Sequence, residues 1–344
     1  MSTYVHIYHI YDIFASSIPA SPLVEAHVWR VFLCPYIMQR YHKTPKIFSE
    51  QVELLKNRGL IIPNEEKAIK VLSSISYNRL SEYWYPMLQH PKDEEIFQQG
   101  TNFDTIFRIY QFDSILRQIV FQAIEQIEVA LRTQIIYHQS HKYNSGFWYE
   151  ERDAFSSVPD HLKILQKISS ATQQSKQEFI KKYRREYEQY FPPSWKAFEI
   201  ISFTTLYMIY KSIKESRDKN KISDYFGLNH RVLISWIDSL VYVRNICAHH
   251  SRLWNITLTI TPTWPKKPRG PWVTRWENQE RNQNTRDKVL KPYAALCMIQ
   301  FLLQSINPYN TFSDDLKQLL LKYPQIDINV MGFPSDWEYE PLWS

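Results

Sequence analysis

Glycine and cysteine are scarce in this chain of 344 residues, with six copies of the first and three of the second. So few glycines, beside many Leu, Ile, Glu, Lys and Gln, argue against a β-sandwich or a Rossmann unit and for helices. The cysteines, Cys34, Cys247 and Cys297, are odd in number and far apart. They do not form a disulfide framework, which points to a reducing, cytoplasmic setting. Long apolar runs are missing as well. The longest clean one, "AALCMIQFLL" from Ala294, is about half the length of a membrane span. No basic stretch precedes an apolar one at the start of the chain, so no signal peptide and no membrane partner are expected.

What is present is enough for a large core: 44% hydrophobic and 15% aromatic residues, with 41 basic against 35 acidic side chains. The resulting +6 suits a polyanionic partner without requiring one. The first 37 residues carry only Asp12, Glu25 and Arg30 as charges and show no steady period. Residues 1–40 are therefore read as an extension outside the core, with Met38 as an alternative start. A short packed helix around Leu23 to Leu33 is the other reading.

Helical spacing then takes over. "SEQVELLKNRGL" predicts a helix capped by Ser49 and stopped at Gly59. "NEEKAIKVLSSISYNRLSEYWYP" reads as a helix capped by Asn64 and closed by Pro86, its Tyr and Trp cluster serving packing or base stacking. A long stretch from Asn102 to Ser140 lacks Gly and Pro and buries Ile124, Ile127, Leu131 and Ile135. Glu125, Glu128 and Arg132 fall within about 60° of one another beside that stripe. Residues from Tyr143 to Pro193 look looser, apart from the basic helix "KQEFIKKYRREYEQY". Two apolar helices, "SWKAFEIISFTTLYMIYKSI" and "DYFGLNHRVLISWIDSLVYVRNICAHH", follow. "RDKVLKPYAALCMIQFLLQSI" is a last helix, and 311–344 is expected to be a tail with a short helix at most.

Between these last helices lies a Pro- and Trp-rich insertion, 256–287. From Ile256 to Lys291 there are eight basic and three acidic residues, a net +5. Lys266, Lys267, Arg269 and Arg275 are interleaved with Trp264, Trp272 and Trp276. Basic charge with flat aromatics is how single-stranded RNA is held. The alternative is a solvated loop with its Trp side chains tucked onto the bundle.

The most concentrated chemistry is "YVRNICAHHSRLWN", Tyr242 to Asn255. Arg supplies a forked donor set for a phosphorane, and His moves protons near neutral pH. With the RNA 2′-hydroxyl as nucleophile, that is metal-free RNA cleavage. Arg244 and His249 are five residues apart, about 140° around an ideal helix. They converge only if the helix ends or bends there, or if a second copy contributes. A buried hydrogen-bond network is the competing reading. Cys247, His249 and His250 lack the paired spacing and second cluster of a zinc site. No metal or cofactor is expected, and Cys247 reads as a core residue.

"RNICAHH" matches the R-N-x-x-x-H signature of HEPN-superfamily ribonucleases, and the wider stretch resembles the Abi-like (AbiD/AbiF) abortive-infection proteins. "FSEQVELLKNRGLII", "ISYNRLSEYWYP", "FDSILRQIVFQAIEQIEVALRTQI" and "EIISFTTLYMIYKSI" resemble the same family in order. The resemblance implies an all-α HEPN-like bundle over residues 41–310, with additional N-terminal helices and the basic insertion. It implies a homodimer that defends against phage as a metal-independent endoribonuclease toxin, restrained by a small non-coding antitoxin RNA. A non-catalytic RNA-binding dimer is the alternative. By position, Arg244 and His249 are the catalytic pair and Asn245 orients the site. Glu128, Arg132, His250, Arg252 and Asn255 support it. Lys266, Lys267, Arg269, Trp272 and Arg275 are the expected RNA contacts.

Overall fold

A run of 41 residues with no helix breaker, Phe103–Tyr143, gives the fold its axis. Its start is capped by Asn102, whose Oδ1 accepts from the Asp104 N–H at 2.7 Å, and its end by Asn144 in the left-handed region (φ 47°). At 1.5 Å per residue this rod is about 60 Å long. The computed structural model describes residues 44–265, 268–274 and 290–344, and 48–344 form one compact unit. The expected N-terminal extension and its Leu23–Leu33 helix lie outside the described residues.

Twelve helices are found among the described residues. In chain order they are α1 (Phe48–Asn57), α2 (Glu65–Ser74), α3 (Tyr77–Trp84), the long α4 (Phe103–Tyr143), α5 (Val158–Gln174), α6 (Glu178–Glu186), α7 (Ser194–Ala197), α8 (Phe203–Ser212), α9 (Ser216–Asp224), α10 (His230–Ala248), α11 (Pro292–Ile306) and α12 (Phe312–Lys322). Among these residues strand pairing is limited to isolated bridges such as Ile61 with Asn102. The fold is all-α, as composition leads one to expect. No described helix is long and apolar enough to cross a membrane.

α3, α9, α10, α11 and α12 all pack against α4. The reason is its buried pattern: Ile109, Phe112, Leu116, Val120, Ala123, Ile127, Leu131 and Ile135 recur every three or four residues. α11 is buried all round, from Pro292 to Leu303, so the run too short for a membrane is a core helix. α10 starts at Asn229, whose side chain caps the Arg231 and Val232 N–H groups at 3.0 and 3.1 Å. It buries Leu233, Trp236, Ile237, Leu240 and Val243.

Several boundaries differ from the sequence reading, each for a local reason. α1 begins at Phe48, one residue before the expected Ser49 cap, while Gly59 (φ 89°) ends it as expected. The expected second helix is two, because Ser76 takes a new N-cap position and accepts from the Arg79 N–H at 3.3 Å. Ser202 likewise splits α7 from α8, and Gly227 (φ 67°) with Asn229 splits α9 from α10. α5 stands within the stretch expected to be looser, where Ser157 caps it and Ile164 and Ile168 fill its inner face. The tail holds one short helix, α12 of 11 residues, and beyond it Phe333, Trp337, Leu342 and Trp343 are buried. Trp343 Nε1 donates to Tyr293 Oη at 3.0 Å, which stitches the terminal segment to α11.

In the first third of α4, Asp113 is fully buried. It accepts from Tyr83 Oη at 2.7 Å, from the Leu253 and Trp254 N–H groups at 3.1 and 2.6 Å, and from Arg117 Nη1. Burial raises its carboxyl, opposed by Arg117 and the other donors. Truncation strands a buried cation and two backbone donors at once. Asp113→Ala is expected to cost about 3–5 kcal/mol, read by urea unfolding, and adding Arg117→Met is expected to recover part of it. A loss below about 1 kcal/mol, the scale of an exposed pair, would refute the assignment.

Candidate active site

The motif lies on the last turns of α10, and the way that helix stops sets its geometry. Ala248 is the final helical residue and His249 is the C-cap (φ −89°, ψ 5°). His250 then adopts a left-handed conformation (φ 57°). The His250 N–H donates to Cys247 O at 3.1 Å and the Ser251 N–H to Ile246 O at 3.0 Å. This closes the helix as a Schellman turn with His250 in the position glycine usually takes. The sequence left open whether the helix ends between Arg244 and His249, and it does.

Four side chains hold the chain that leaves the helix. Arg79 Nη1 on α3 donates to His250 O, and Arg252 Nη1 donates to Glu82 O at 2.6 Å. Asp113 takes the next two backbone donors. Asn255 (φ 53°) accepts from Lys291 Nζ at 3.3 Å. Arg252 and Asn255 thus fasten the loop to α3 and to the start of α11. The burial of Cys247 pushes its thiol up to about 12, consistent with a packed core residue.

Arg244, by contrast, opens into a cleft. Phe121, Glu125, Glu128, Val129 and Arg132 of α4 line it together with Arg244, around a volume of about 240 Å³. The Arg244 guanidinium lies 5.7 Å from the centre of the Phe121 ring, and its Nη1 reaches Asn245 Oδ1 at 3.4 Å. Asn245 O also accepts the His249 N–H at 3.0 Å, so Asn245 touches both halves of the pair. Glu128 accepts from Arg132 Nη2 at 2.7 Å. Arg132 Nη1 is 3.6 Å from Glu199, just beyond α7. With side chains only 10% and 15% exposed, Arg132 and Glu128 are not a solvated surface pair. His249 does not line the cleft and stands exposed at the helix end.

The structure places Glu128 and Arg132 in one cleft with Arg244, the arrangement that the family resemblance implies. Phe121, Val129 and Glu199 were not foreseen. The first two continue the face that carries Glu125, Glu128 and Arg132 (i, i+4, i+7, i+8, i+11), so periodicity held that signal. Glu199 arrives through tertiary packing alone.

The insertion gives a correction. Trp272 is 2% exposed, stacked 5.3 Å from Trp236 and edge-on to Phe301 at 5.4 Å, so its faces are taken by the core. Trp236 Nε1 donates to Thr263 O at 2.8 Å, which fixes the insertion's first leg. Arg269 is exposed and lies 3.3 Å from Asp224. Lys266, Lys267 and Arg275 lie outside the described residues.

Burial raises the Glu128 carboxyl above its ordinary range, opposed by Arg132 and Arg244. The folded chain thus holds this proton to higher pH than the unfolded chain. The contribution favours folding below the unfolded value of about 4.3 and is lost as pH rises through the folded one. Glu128→Gln escapes that loss. Its Tm relative to the parent is expected to climb as pH goes from about 4 towards neutrality. A constant difference across that window would show that the arginines cancel burial, and a falling one that they outweigh it; either overturns the assignment.

A family model described as Abi-like protein matches residues 70–255, more than half of the chain. No curated protein and no solved structure matches it. The matched span runs from within α2 to Asn255, taking in both walls of the cleft and the anchored loop. On that match, the chain belongs to the Abi-like protein family.

Proposed function

We propose that the chain is a metal-independent endoribonuclease toxin of HEPN type, acting in the abortive-infection role that its family supports. One observation carries the reading. Arg244 opens into a cleft walled by Glu125, Glu128 and Arg132, while the helix stops just before His249 and leaves its imidazole exposed. A phosphodiester seated at Arg244 has its equatorial oxygens facing a forked donor. The 2′-oxygen attacks phosphorus and gives its proton to a base as the bond to the 5′-oxygen breaks, and that oxygen is protonated by an acid. The products are a 2′,3′-cyclic phosphate and a 5′-hydroxyl.

One imidazole does not serve both as base and as acid in a single in-line step. A homodimer with two motifs facing each other across a two-fold axis supplies the second. Exposure of His249, away from its own chain's cleft, fits a residue that works across such an interface. Target RNA is the substrate in this reading, and a small structured RNA is the partner that restrains the toxin.

Arg244→Ala and His249→Ala are each expected to abolish growth arrest and RNA cleavage by at least about 100-fold, the scale of a lost acid–base or oxyanion group. Both sites are partly or fully exposed, so the variants should keep the parent's circular dichroism. EDTA is expected to leave the rate unchanged. Full toxicity in both variants, or a fully active monomer by light scattering, contradicts the proposal. RNA binding without cleavage by the parent would mark a docking dimer instead.

A further inference from the structure

Tryptophan is buried or half-buried throughout the described residues except at one place, Trp195, which is 52% exposed. An exposed indole is the informative case, because burial is the default for a side chain of this size. It is also held rigidly. The Ser194 N–H donates to Gly146 O at 2.7 Å, and the Ser194 and Ser140 hydroxyls lie 3.1 Å apart. Ala197 and Phe198, next in the chain, are fully buried. The segment from α7 to Ile200 is thus a fixed ledge along the last turns of α4.

That ledge ends at the cleft. Ser194 is tied to Ser140, and Glu199 meets Arg132 at 3.6 Å. Ser140 and Arg132 lie eight residues apart on α4, a rise of about 12 Å. The neighbouring α6 has a basic excess, with four basic residues against Glu178 and Glu186. Lys196 Nζ lies 5.9 Å from the centre of the Phe179 ring on α6. Arg184 and Arg185 on α6 are exposed, and no ion pair is found for them or for Lys196 among the described residues.

We infer that this ledge is a track for single-stranded RNA leading out of the cleft, with Trp195 stacking on a base and Lys196 meeting a phosphate. The inference rests on the RNA reading of the cleft and adds where the strand runs. The aromatic and basic pairing expected in the insertion is found here in usable form: Trp272 is packed away, whereas Trp195 offers its ring to solvent. Stacking on a rigid aromatic beside backbone-neutralising cations binds RNA without reading its sequence. A second protein copy would be served better by a broad apolar face than by one ring beside Lys196 and a basic-rich helix.

The test uses the full chain carrying His249→Ala, so that RNA is bound but not cut, and a labelled oligouridylate of about 20 nucleotides, longer than the ~4–16 of a single binding module. Adding Trp195→Ala is expected to weaken binding about 5- to 150-fold, the range for losing one base–aromatic stack, with an unchanged salt slope. Trp195→Phe should keep most of the affinity, which separates stacking from folding. Lys196→Gln should flatten the slope of log K against log salt by about 0.7, one phosphate on a single strand. Parent-level affinity in Trp195→Ala overturns the track alone. A His249→Ala chain that does not bind the RNA at all overturns the reading of the cleft and the track with it. If Trp195→Ala instead shrinks the particle in light scattering, the ring belongs to a contact between copies, and the inference fails.

Discussion

Asp113 sits on α4 with no exposure, and its two oxygens take a phenol, a guanidinium and two consecutive backbone N–H groups. Burying a carboxylate is costly unless nearly every lone pair finds a donor. Here the donors come from α3, from α4 itself and from the loop beyond α10. The path of the chain at Leu253 and Trp254 follows from satisfying that one group. Without it, the loop after the motif would need other partners for two buried amides.

The cleft rests on a different balance. Arg244 and Arg132 face Glu128, with Glu125 on the same wall and Glu199 at the rim. Opposite charges in near-equal number let two arginines stay partly buried without forcing either out of the cleft. The same arrangement makes Arg244 the accessible one. Arg132 is held by two carboxylates, whereas Arg244 reaches the side-chain amide of Asn245 and the face of Phe121. A ligand oxygen entering the cleft therefore meets Arg244 before it competes for Arg132.

Much of this was legible in the sequence because it is local. Periodicity gave α4 and its stripe, and the offset between Glu125, Glu128 and Arg132 followed from the helical repeat. The motif helix was equally plain. Reading failed where a single hydroxyl or amide redirected the chain, as at Ser76, Ser202 and Asn229, each of which restarts a helix inside an apolar run. For Trp272 the sequence leaves base stacking and packing onto the bundle both open, because the choice depends on Trp236 and Phe301, residues distant in sequence. The terminal segment was undervalued for the same reason: its Pro-rich, irregular chain has no period, and only its aromatic content hinted at burial.

Gly146 bears on how freely this surface can vary. A Cβ at that position would come within 2.6 Å of the Trp195 indole and 2.9 Å of Pro193. The ring occupies the space where a side chain would stand. Over evolutionary time the two positions are therefore not independent: a lineage that gains even a methyl at 146 must shrink or displace the residue at 195, and one that keeps the indole keeps the glycine. Such a pair leaves a covariation signature across relatives, and its pattern would record which of them retain an aromatic at this spot and which have given it up.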